Sequence, residues 1–357
     1  MNSRVALLFA ATLGLAVGSL GCSGGGDGNG TGGTGGSGGT AGTGGSGGTP
    51  GTGGAGGSDP SGWVVQNSGT TNTLYGVSFT DANTGTAAGV VGTILRTTDG
   101  GATWVAQDSG ITDADLFAVS FTDSNNGTAV GTNTTGLDDA VIVRTTDGGA
   151  TWGPQNSGTR RWLFGVSFTD ADTGTAVGLA GTILRTTNGG ATWVSQTNPD
   201  PLSDSLEGVS FIGTNTGTAV GNTRTILRTT DGGTTWEQQT APELFGWDGV
   251  WFTDANTGTV VGDGGTIIRT TDGGATWVEQ TSGTTDDLRA VSFADTNNGI
   301  VVGDGGTILR TTNGGATWVE QSSGNFRALY GVSMTDANTA TAVGDQGTIL
   351  RTTGGGG

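Results

Sequence analysis

The sequence repeats one unit of about 41 residues seven times, and the last segment of that unit is found at the opposite end of the chain. The unit reads GVSFTDANTGTAVG, then GTILRTTDGGATW, then a tail in which a Gln follows the Trp by three residues. One extra tail, Trp63 to Gln66, precedes the first full unit, whereas the last unit runs out at Thr353 without a tail. Repeats of this length bury their apolar faces only by stacking, so a tail displaced to the start favours a closed ring. The other tail tryptophans are Trp104, Trp152, Trp193, Trp236, Trp277 and Trp318.

Alternating apolar residues predict β-strands within each unit. In the first unit we predict strands at Leu74 to Phe79, Thr84 to Ala88 and Thr93 to Thr97, with the tail as the fourth. Gly-rich reversals such as the Asp-Gly-Gly at 99–101 suit tight hairpins because Gly accepts a positive φ. We therefore expect an all-β chain that forms a seven-bladed β-propeller of four-stranded antiparallel blades, closed by an N-terminal outer strand.

The first 60 residues differ from the repeats. An apolar run from Val5 to Val17 is followed by Ser19-Leu20-Gly21-Cys22, a pattern typical of a bacterial lipoprotein signal. The run is too short to span a membrane. Residues 22–60 are mostly Gly, Ser and Thr, the composition of a flexible linker. The predicted domains are a signal peptide at 1–21, a disordered linker at 22–60 and the propeller at 61–357, with Cys22 as the lipidation site.

This leader predicts a location outside the cytoplasm. With Cys22 lipidated, the protein is anchored in the bacterial envelope, on the periplasmic or surface side; with an ordinary secretory signal instead, it is secreted. A formal net charge of −18 argues against binding to nucleic acid or anionic lipid by bulk electrostatics. We expect a monomer that is attached to the membrane only through the lipid.

The composition also excludes several kinds of catalysis. The chain has no His, so Ser and Cys nucleophiles lack their usual base, and its single Cys allows no internal disulfide. Its Gly-x-Gly-x-x-Gly strings fall in low-complexity sequence or hairpin turns rather than between a strand and a helix. We therefore expect no nucleotide and no other cofactor.

A Thr-x-Asp-x-Gly-x-Thr-Trp segment matches the Asp-box motif, with Thr where Ser is commoner. Its Asx side chain can accept hydrogen bonds from its own turn, while the Trp covers the outer edge of the blade, so we interpret the motif as structural. A metal site is the alternative, but each turn offers one carboxylate at most, and two copies carry Asn. The Asx position is occupied by Asp99, Asp147, Asn188, Asp231, Asp272 and Asn313, and by Gly354 in the last copy.

Together with GTILRTTDGGATW, this motif resembles the photosystem II stability and assembly factor family, propellers with BNR or Asp-box repeats. The resemblance covers Trp63 to Thr353. It implies a role in photosynthesis for a non-enzymatic factor that binds a membrane-protein partner, partly through arginines on one face. The alternative is structural, because an Arg beside each Asx turn can tie that turn to its neighbour by charge-assisted hydrogen bonds. The matching arginines are Arg96, Arg144, Arg185, Arg228, Arg269, Arg310 and Arg351.

We expect function where the copies differ, since the repeated residues serve the fold. In a propeller, the connections into the inner strands emerge on one face, beside the turns between second and third strands. Here they carry aromatic residues and arginines, which are enriched in binding hot spots. For aromatic residues such as Trp251 and Phe245, filling a gap between blades is the alternative. The candidate protein-binding residues are Arg160, Arg161, Trp162, Phe245, Trp247, Arg289, Phe326, Arg327 and Tyr330.

An insertion in the second unit, Gly131 to Ala140, adds Asp138 and Asp139 to the same predicted face. Such an acidic loop is either solvated or binds a cation or a basic partner.

Two classes of function remain. The favoured class is a non-catalytic scaffold or assembly factor that binds a protein, with an envelope membrane protein as the expected partner. The second is a glycan-binding or glycoside-hydrolase propeller of the sialidase type. Its candidate carboxylates are Glu207 and Asp248, which share one inner-strand position in adjacent units. A sialidase also needs a Tyr and Glu pair, and Tyr75 and Tyr330 are the only tyrosines.

Overall fold

A computed structural model of the chain describes residues 62–135, 139–200, 204–242 and 246–354. The predicted signal peptide, the linker, Cys22, Asp138 and Phe245 lie outside these ranges. Within them, seven four-stranded antiparallel sheets are arranged as seven blades, which confirms the predicted propeller. No helix in the described part of the chain is long and apolar enough to cross a membrane.

The four strands of each blade run from the inside of the ring to the outside. The inner strands are β2 (Leu74–Phe79), β6 (Ala114–Phe121), β10 (Leu163–Phe168), β14 (Leu206–Ile212), β18 (Trp247–Phe252), β22 (Leu288–Phe293) and β26 (Leu329–Met334). The second strands are β3 (Gly85–Gly89), β7 (Gly127–Asn133), β11 (Gly174–Gly178), β15 (Thr216–Gly221), β19 (Gly258–Gly262), β23 (Gly299–Gly303) and β27 (Ala340–Gly344).

The third strands are β4 (Ile94–Thr97), β8 (Ala140–Thr145), β12 (Thr182–Thr186), β16 (Ile226–Thr229), β20 (Ile267–Thr270), β24 (Ile308–Thr311) and β28 (Ile349–Thr352). The outer strands are β5 (Val105–Gln107), β9 (Gly153–Pro154), β13 (Val194–Ser195), β17 (Glu237–Gln238), β21 (Val278–Gln280), β25 (Val319–Gln321) and, for blade 7, β1 (Val64–Gln66). Single 3₁₀ turns at Asp263–Gly265, Asp304–Gly306 and Asp345–Gly347 join the second and third strands of blades 5 to 7.

The ring closes through the N-terminal strand, as the displaced tail predicts. Strand β1 pairs antiparallel with β28, and the sheet order of blade 7 is β1-β28-β27-β26. Each inner strand contacts the inner strand of the next blade, and β26 contacts β2 in the same way. Trp63 is 3% exposed, and its Nε1 donates a hydrogen bond to Gln321 Oε1 at 2.9 Å.

The strand directions define two faces of the propeller. We call the upper face the one formed by the connections into the inner strands and by the turns between second and third strands. Backbone hydrogen bonds place these loops together, for example from Val90 N to Thr73 O and from Leu179 N to Trp162 O. The lower face holds the turns between first and second strands and the Asp-box turns. Because β1 runs antiparallel to β28, the chain enters the ring from the lower face.

The hydrophobic core lies between blades rather than at one centre. One cluster joins Val177 and Ile183 of blade 3 to Leu206 and Leu227 of blade 4. Within a blade, an inner-strand Phe meets the Asp-box Trp edge to face, as in blades 1 to 6. The repeated Gly that follows the first turn makes room for that Phe, since a Cβ on Gly174 would lie 2.5 Å from the ring of neighbouring Phe168.

The Asp-box Trp and the tail Gln connect one blade to the next. Trp104 Nε1 donates to Gln66 Oε1 at 3.0 Å, and Gln66 Nε2 donates to Gly100 O at 3.0 Å, so blade 7 holds the Asp-box turn of blade 1. The Trp is therefore part of the contact between blades, and not only a cover for the outer edge. The same donor and acceptor pairs are Trp63–Gln321, Trp152–Gln107, Trp193–Gln155, Trp236–Gln196, Trp277–Gln239 and Trp318–Gln280.

The repeated arginines also lie between blades, which confirms their structural interpretation. Arg185 donates from Nη1 to Thr175 Oγ1 of its own blade at 2.7 Å and from Nη2 to Thr214 O of blade 4 at 2.5 Å. Its guanidinium carbon lies 4.7 Å from the centroid of the Phe211 ring, a cation–π contact. Burial lowers the pKa of Arg185. The others bond a turn carbonyl of the next blade in the same way: Arg96, Arg144, Arg228, Arg269, Arg310 and Arg351.

Blade 6 has lost parts of this pattern. Ile300 replaces the Thr that bonds the Arg, so Arg310 Nη1 has no hydrogen-bond partner in the described residues. Met334 of blade 7 replaces the Phe whose ring the Arg faces in the other blades. In most blades a Ser near the end of the inner strand accepts a bond from the amide of the next blade, as Ser167 Oγ does from Phe211 N. Trp251 takes this position in blade 5, near the lower face, and is partly exposed. The seam between blades 5 and 6 therefore lacks the Ser hydrogen bond, and Arg310 at the seam between blades 6 and 7 lacks its Thr partner.

The Asp-box carboxylates stabilise their own turns. Asp99 accepts hydrogen bonds from Thr103 N at 2.9 Å, from Thr103 Oγ1 at 2.6 Å and from Thr97 Oγ1 at 2.9 Å. Thr97 Oγ1 in turn accepts from Gly101 N at 2.7 Å, which completes the turn. These bonds favour the ionised form, and they lower the pKa of Asp99 to about 2. The pKa values of Asp147 and Asp272 are lowered to about 2 by the equivalent bonds.

We expect the propeller to lose stability as the pH falls from about 4 to about 2. A folded-state pKa below the ordinary Asp value of 3.8 stabilises the protein above that pKa, and the contribution disappears as the carboxylates take up protons. The measurement is the melting temperature between pH 6 and pH 2. The variant Asp99→Asn/Asp147→Asn/Asp272→Asn copies the boxes that already carry Asn188 and Asn313, and should show a weaker acid dependence. An equal acid dependence in the variant would contradict this role.

Candidate functional site

Seven equivalent inner-strand residues, one from each blade and each directly after a fully buried Leu or Trp247, form a ring near the upper face. Four of them are aromatic neighbours, with ring centroids 5.3 Å apart for Tyr330 and Tyr75, 5.4 Å for Tyr75 and Phe117, and 5.5 Å for Phe117 and Phe164. The other three are charged. We call this set the inner ring, and its members are Tyr75, Phe117, Phe164, Glu207, Asp248, Arg289 and Tyr330.

The charged half of the inner ring is centred on Arg289. Its guanidinium, 3% exposed, bonds Asp248 of blade 5 at 3.2 Å, Asp287 at 3.1 Å and Asp304 at 2.6 Å. Burial acts to lower the pKa of Arg289, but the hydrogen bond to Asp304 and the two other carboxylates raise it above the ordinary Arg value. Burial and the charge of Asp287 raise the pKa of nearby Asp263. Arg289 thus offsets part of the negative charge of Asp248 in blade 5 and of Asp287 and Asp304 in blade 6.

Three of the predicted binding residues are buried, which corrects their predicted availability to a partner. Trp247 is 0% exposed and packs between blades, where other copies carry Leu. Arg289 is enclosed by carboxylates, and the ring of Tyr330 packs at a tilt against that of Tyr75 in the inner ring. Burial and the nearby Asp345 raise the pKa of Tyr330 above the ordinary Tyr range. These three residues stabilise the ring and do not form an open surface.

The predicted carboxylate pair does lie in adjacent blades, but both groups are engaged by the protein. Asp248 is paired with Arg289, and Glu207 Oε1 accepts a hydrogen bond from Ser205 Oγ at 2.6 Å. Glu207 is buried as well. A glycosidase needs one carboxylic acid and one carboxylate that both reach the substrate. The observed contacts do not favour that role.

The other predicted residues lie on two upper-face connections. Arg160 and Arg161 are exposed, and Trp162, half-buried, packs against Phe117 and Phe164 at centroid distances of 6.4 and 6.2 Å. Arg160 Nε lies 3.4 Å from Asp139 Oδ1 of the blade 2 insertion, and both side chains are mostly exposed, so this pair contributes little stability. On the connection between blades 6 and 7, Phe326 is 95% exposed, and Arg327 follows it.

The exposed arginines all lie on the upper face. Among the described residues, seven arginines tie the blades and Arg289 is enclosed by acids, which leaves four that are exposed to solvent. The sequence analysis does not single out one of these, Arg224, which stands in a turn between second and third strands at a φ of +64°. Its signal was a charged residue where five other copies have Gly. The four exposed arginines are Arg160, Arg161, Arg224 and Arg327.

The lower face, by contrast, is rich in Asp. Its first turns carry Asx turns such as that of Asp81, whose Oδ1 accepts from Asn83 N at 2.7 Å and Thr84 N at 2.9 Å. The Asp-box turns add further carboxylates. In the residues that the structure describes, no group of three or more His, Cys, Asp or Glu side chains is arranged to hold a metal ion.

Comparisons with known proteins agree with this architecture. The family model described as photosynthesis system II assembly factor YCF48 matches residues 57–153, 154–246 and 246–357. No curated protein matches the chain by sequence.

Solved structures show the same fold at low sequence identity. A structure of YCF48 bound to D1 peptide is 20% identical with a TM-score of 0.67, covering 82% of this chain and 96% of that one. YCF48 from Cyanidioschyzon merolae is 20% identical with a TM-score of 0.66, covering 81% and 98%. The GH74 enzyme of Niastella koreensis is 18% identical with a TM-score of 0.64, covering 80% of this chain and 53% of the enzyme. On the family match, which spans the whole propeller, the chain belongs to the photosynthesis system II assembly factor YCF48 family.

Proposed function

We propose that this propeller is a non-catalytic scaffold or assembly factor that binds a protein partner on its upper face. The observation that carries the proposal is the segregation of the exposed arginines: all four lie in upper-face loops of a chain with a formal net charge of −18. None of these four is among the arginines that tie the blades. Family membership supports a role in assembly, and the relative bound to D1 peptide supports a polypeptide ligand.

The proposed contact centres on the connection between blades 2 and 3. Arg160 and Arg161 present guanidinium groups that can bond carboxylates or backbone carbonyls, and Trp162 offers an aromatic surface held in place by Phe117 and Phe164. A rigid aromatic side chain beside arginines is the composition of interface hot spots. Arg327 and Arg224 are two further exposed arginines on the same face.

The proposal includes a location outside the cytoplasm. The lipoprotein-type leader supports attachment to the bacterial envelope through Cys22, with a membrane protein of that envelope as the partner. Strand β1 begins at the lower face, opposite the proposed binding surface.

The test is capture of the partner from a detergent-solubilised envelope by the tagged full-length protein. The variant Arg160→Ala/Arg161→Ala/Trp162→Ala should reduce the captured partner by at least about tenfold, as expected for loss of hot-spot residues. The matched control changes Thr112→Ala/Asp113→Ala on the connection between blades 1 and 2, and should leave capture unchanged. Equal capture by the triple variant and wild type, at equal melting temperature, would show that this surface does not bind the partner.

A further inference from the structure

A second feature of the upper face is a groove of about 600 Å³ on blade 6. One side of the groove is the turn at 305–307. The other side is the first part of the connection to blade 7, residues 322–326, which includes Phe326. Asp286 and Glu320 contribute carboxylates to its lining, and no basic side chain lines it. An exposed Phe beside two acids is an unusual use of surface, because a fully solvated aromatic ring adds nothing to the stability of the fold.

The three residues that give this groove its character differ from their counterparts in blade 1, although Glu320 is matched by Glu279 in blade 5. In blade 1 the corresponding positions are held by Asn72, Ala106 and Thr112. The frame of the groove is nevertheless the same. Asn72 Nδ2 donates to Thr93 Oγ1 at 2.8 Å in blade 1, and Thr307 Oγ1 donates to Asp286 Oδ2 at 2.9 Å in blade 6. Blade 1 thus has neutral side chains at these three positions, whereas blade 6 has two carboxylates and an aromatic ring.

The corresponding groove of blade 3 has the opposite charge. It has a volume of about 340 Å³ and is lined by Arg161 at the position of Asp286 and by Ser195 at the position of Glu320. Among the described residues, no Asp or Glu lines it. Two copies of one groove have thus diverged in opposite directions, which indicates that their charge serves something other than the shared fold.

Charge and shape together select the occupant of the blade 6 groove. Asp286 and Glu320 disfavour an anion, and the lining, apart from Phe326, is too polar for an apolar ligand. A cation is attracted both by carboxylates and by the face of an aromatic ring. We propose that the blade 6 groove binds an Arg or Lys side chain of a partner protein. This inference rests on the proposed scaffold function and specifies the chemistry of the partner, since a basic segment is also steered towards so acidic a chain.

The test is an NMR titration of the full propeller with blocked tripeptides Gly-Arg-Gly, Gly-Lys-Gly and Gly-Gln-Gly. The Arg and Lys peptides should shift the amide signals of Gly305 and Gly324 in a saturable manner, and the Gln peptide should not. The variant Phe326→Thr/Asp286→Asn/Glu320→Ala converts the groove to that of blade 1 and should weaken Arg binding by at least about tenfold. Since blade 1 already folds with these residues, the variant should keep its melting temperature.

Equal shifts with the Gln peptide, or Arg binding that survives in the converted groove, would overturn the inference. Its failure is separable from that of the proposed function. The Arg160→Ala/Arg161→Ala/Trp162→Ala protein should lose the partner but bind the Arg peptide as wild type does. Loss of the partner in that protein, with no peptide binding to wild type, would leave the scaffold function standing and reject only the basic occupant.

Discussion

Deletion of residues 61–68 is expected to lower the melting temperature by at least about 6 °C. The deletion removes β1, so β28 loses its partner strand and blade 7 loses its outer edge. It also removes the buried Trp63, and truncating a buried Trp costs about 3–5 kcal/mol, equivalent to about 2 °C or more per kcal/mol in a domain of this size. Gln66, which holds the Asp-box turn of blade 1, is lost as well. The measurement is differential scanning calorimetry of the deleted and intact proteins.

Two controls separate closure of the ring from a general effect of truncation. Val65→Ala changes an exposed side chain on the same strand and should alter stability by less than about 0.5 kcal/mol. A synthetic peptide covering residues 62–69 should raise the melting temperature of the deleted protein in a concentration-dependent manner, because it binds only the folded ring. An unchanged melting temperature on deletion would mean that β1 does not close the ring.

The fold could be predicted from the sequence because each structural residue is repeated in the same environment. The predicted inner strand of blade 1 matches β2 in both bounds, and the predicted second and third strands begin one residue early. The closure could be predicted from Trp63 because it belongs to a displaced copy of the tail. In the structure, Trp63 bonds Gln321 as the other tail tryptophans bond their Gln partners. Seven copies of one contact give the sequence pattern a redundancy that a non-repetitive chain lacks.

The candidate site was predicted less well, because residue type was given more weight than position in the repeat. Trp247 stands where Leu74 stands in blade 1, and both are fully buried. Arg289 and Tyr330 likewise share the position of Phe117, which is buried in the inner ring. A comparison of each residue with its equivalents in the other copies would have predicted that all three are buried.

The charged contacts of Arg289 could not be predicted in this way. Its partners lie 41 residues before it, at Asp248, and 15 residues after it, at Asp304, on different elements. The repeat places Asp248, one unit earlier, in the blade beside Arg289 and Asp304 in a turn of the same blade, but it does not indicate the direction in which the guanidinium points. The pairing of Arg160 with Asp139 depends in the same way on the insertion of blade 2.

Replacement of Arg289 by Leu is expected to destabilise the propeller by about 3 kcal/mol at pH 7. The substitution leaves Asp248, Asp287 and Asp304 close together without their cation, and breaking a buried ion pair on one side costs about 3–5 kcal/mol. We take the lower end because the side chains of Asp287 and Asp304 are 30% and 38% exposed, so water screens part of their repulsion. The measurement is chemical denaturation of variant and wild type.

The same substitution should make the deficit depend on pH. Mutual repulsion raises the pKa of these carboxylates in the folded variant above the unfolded value, so the variant regains stability as the pH falls from 7 towards 4 and the carboxylates take up protons. Burial, together with the charge of neighbouring Asp287, already raises the pKa of Asp263 beside Arg289. Adding Asp248→Asn and Asp304→Asn to the Leu variant should recover part of the loss at pH 7. Arg327→Leu, at an exposed arginine, should change stability by less than about 0.5 kcal/mol. A deficit that stays constant between pH 7 and pH 4 would show that packing, rather than charge, makes Arg289 necessary.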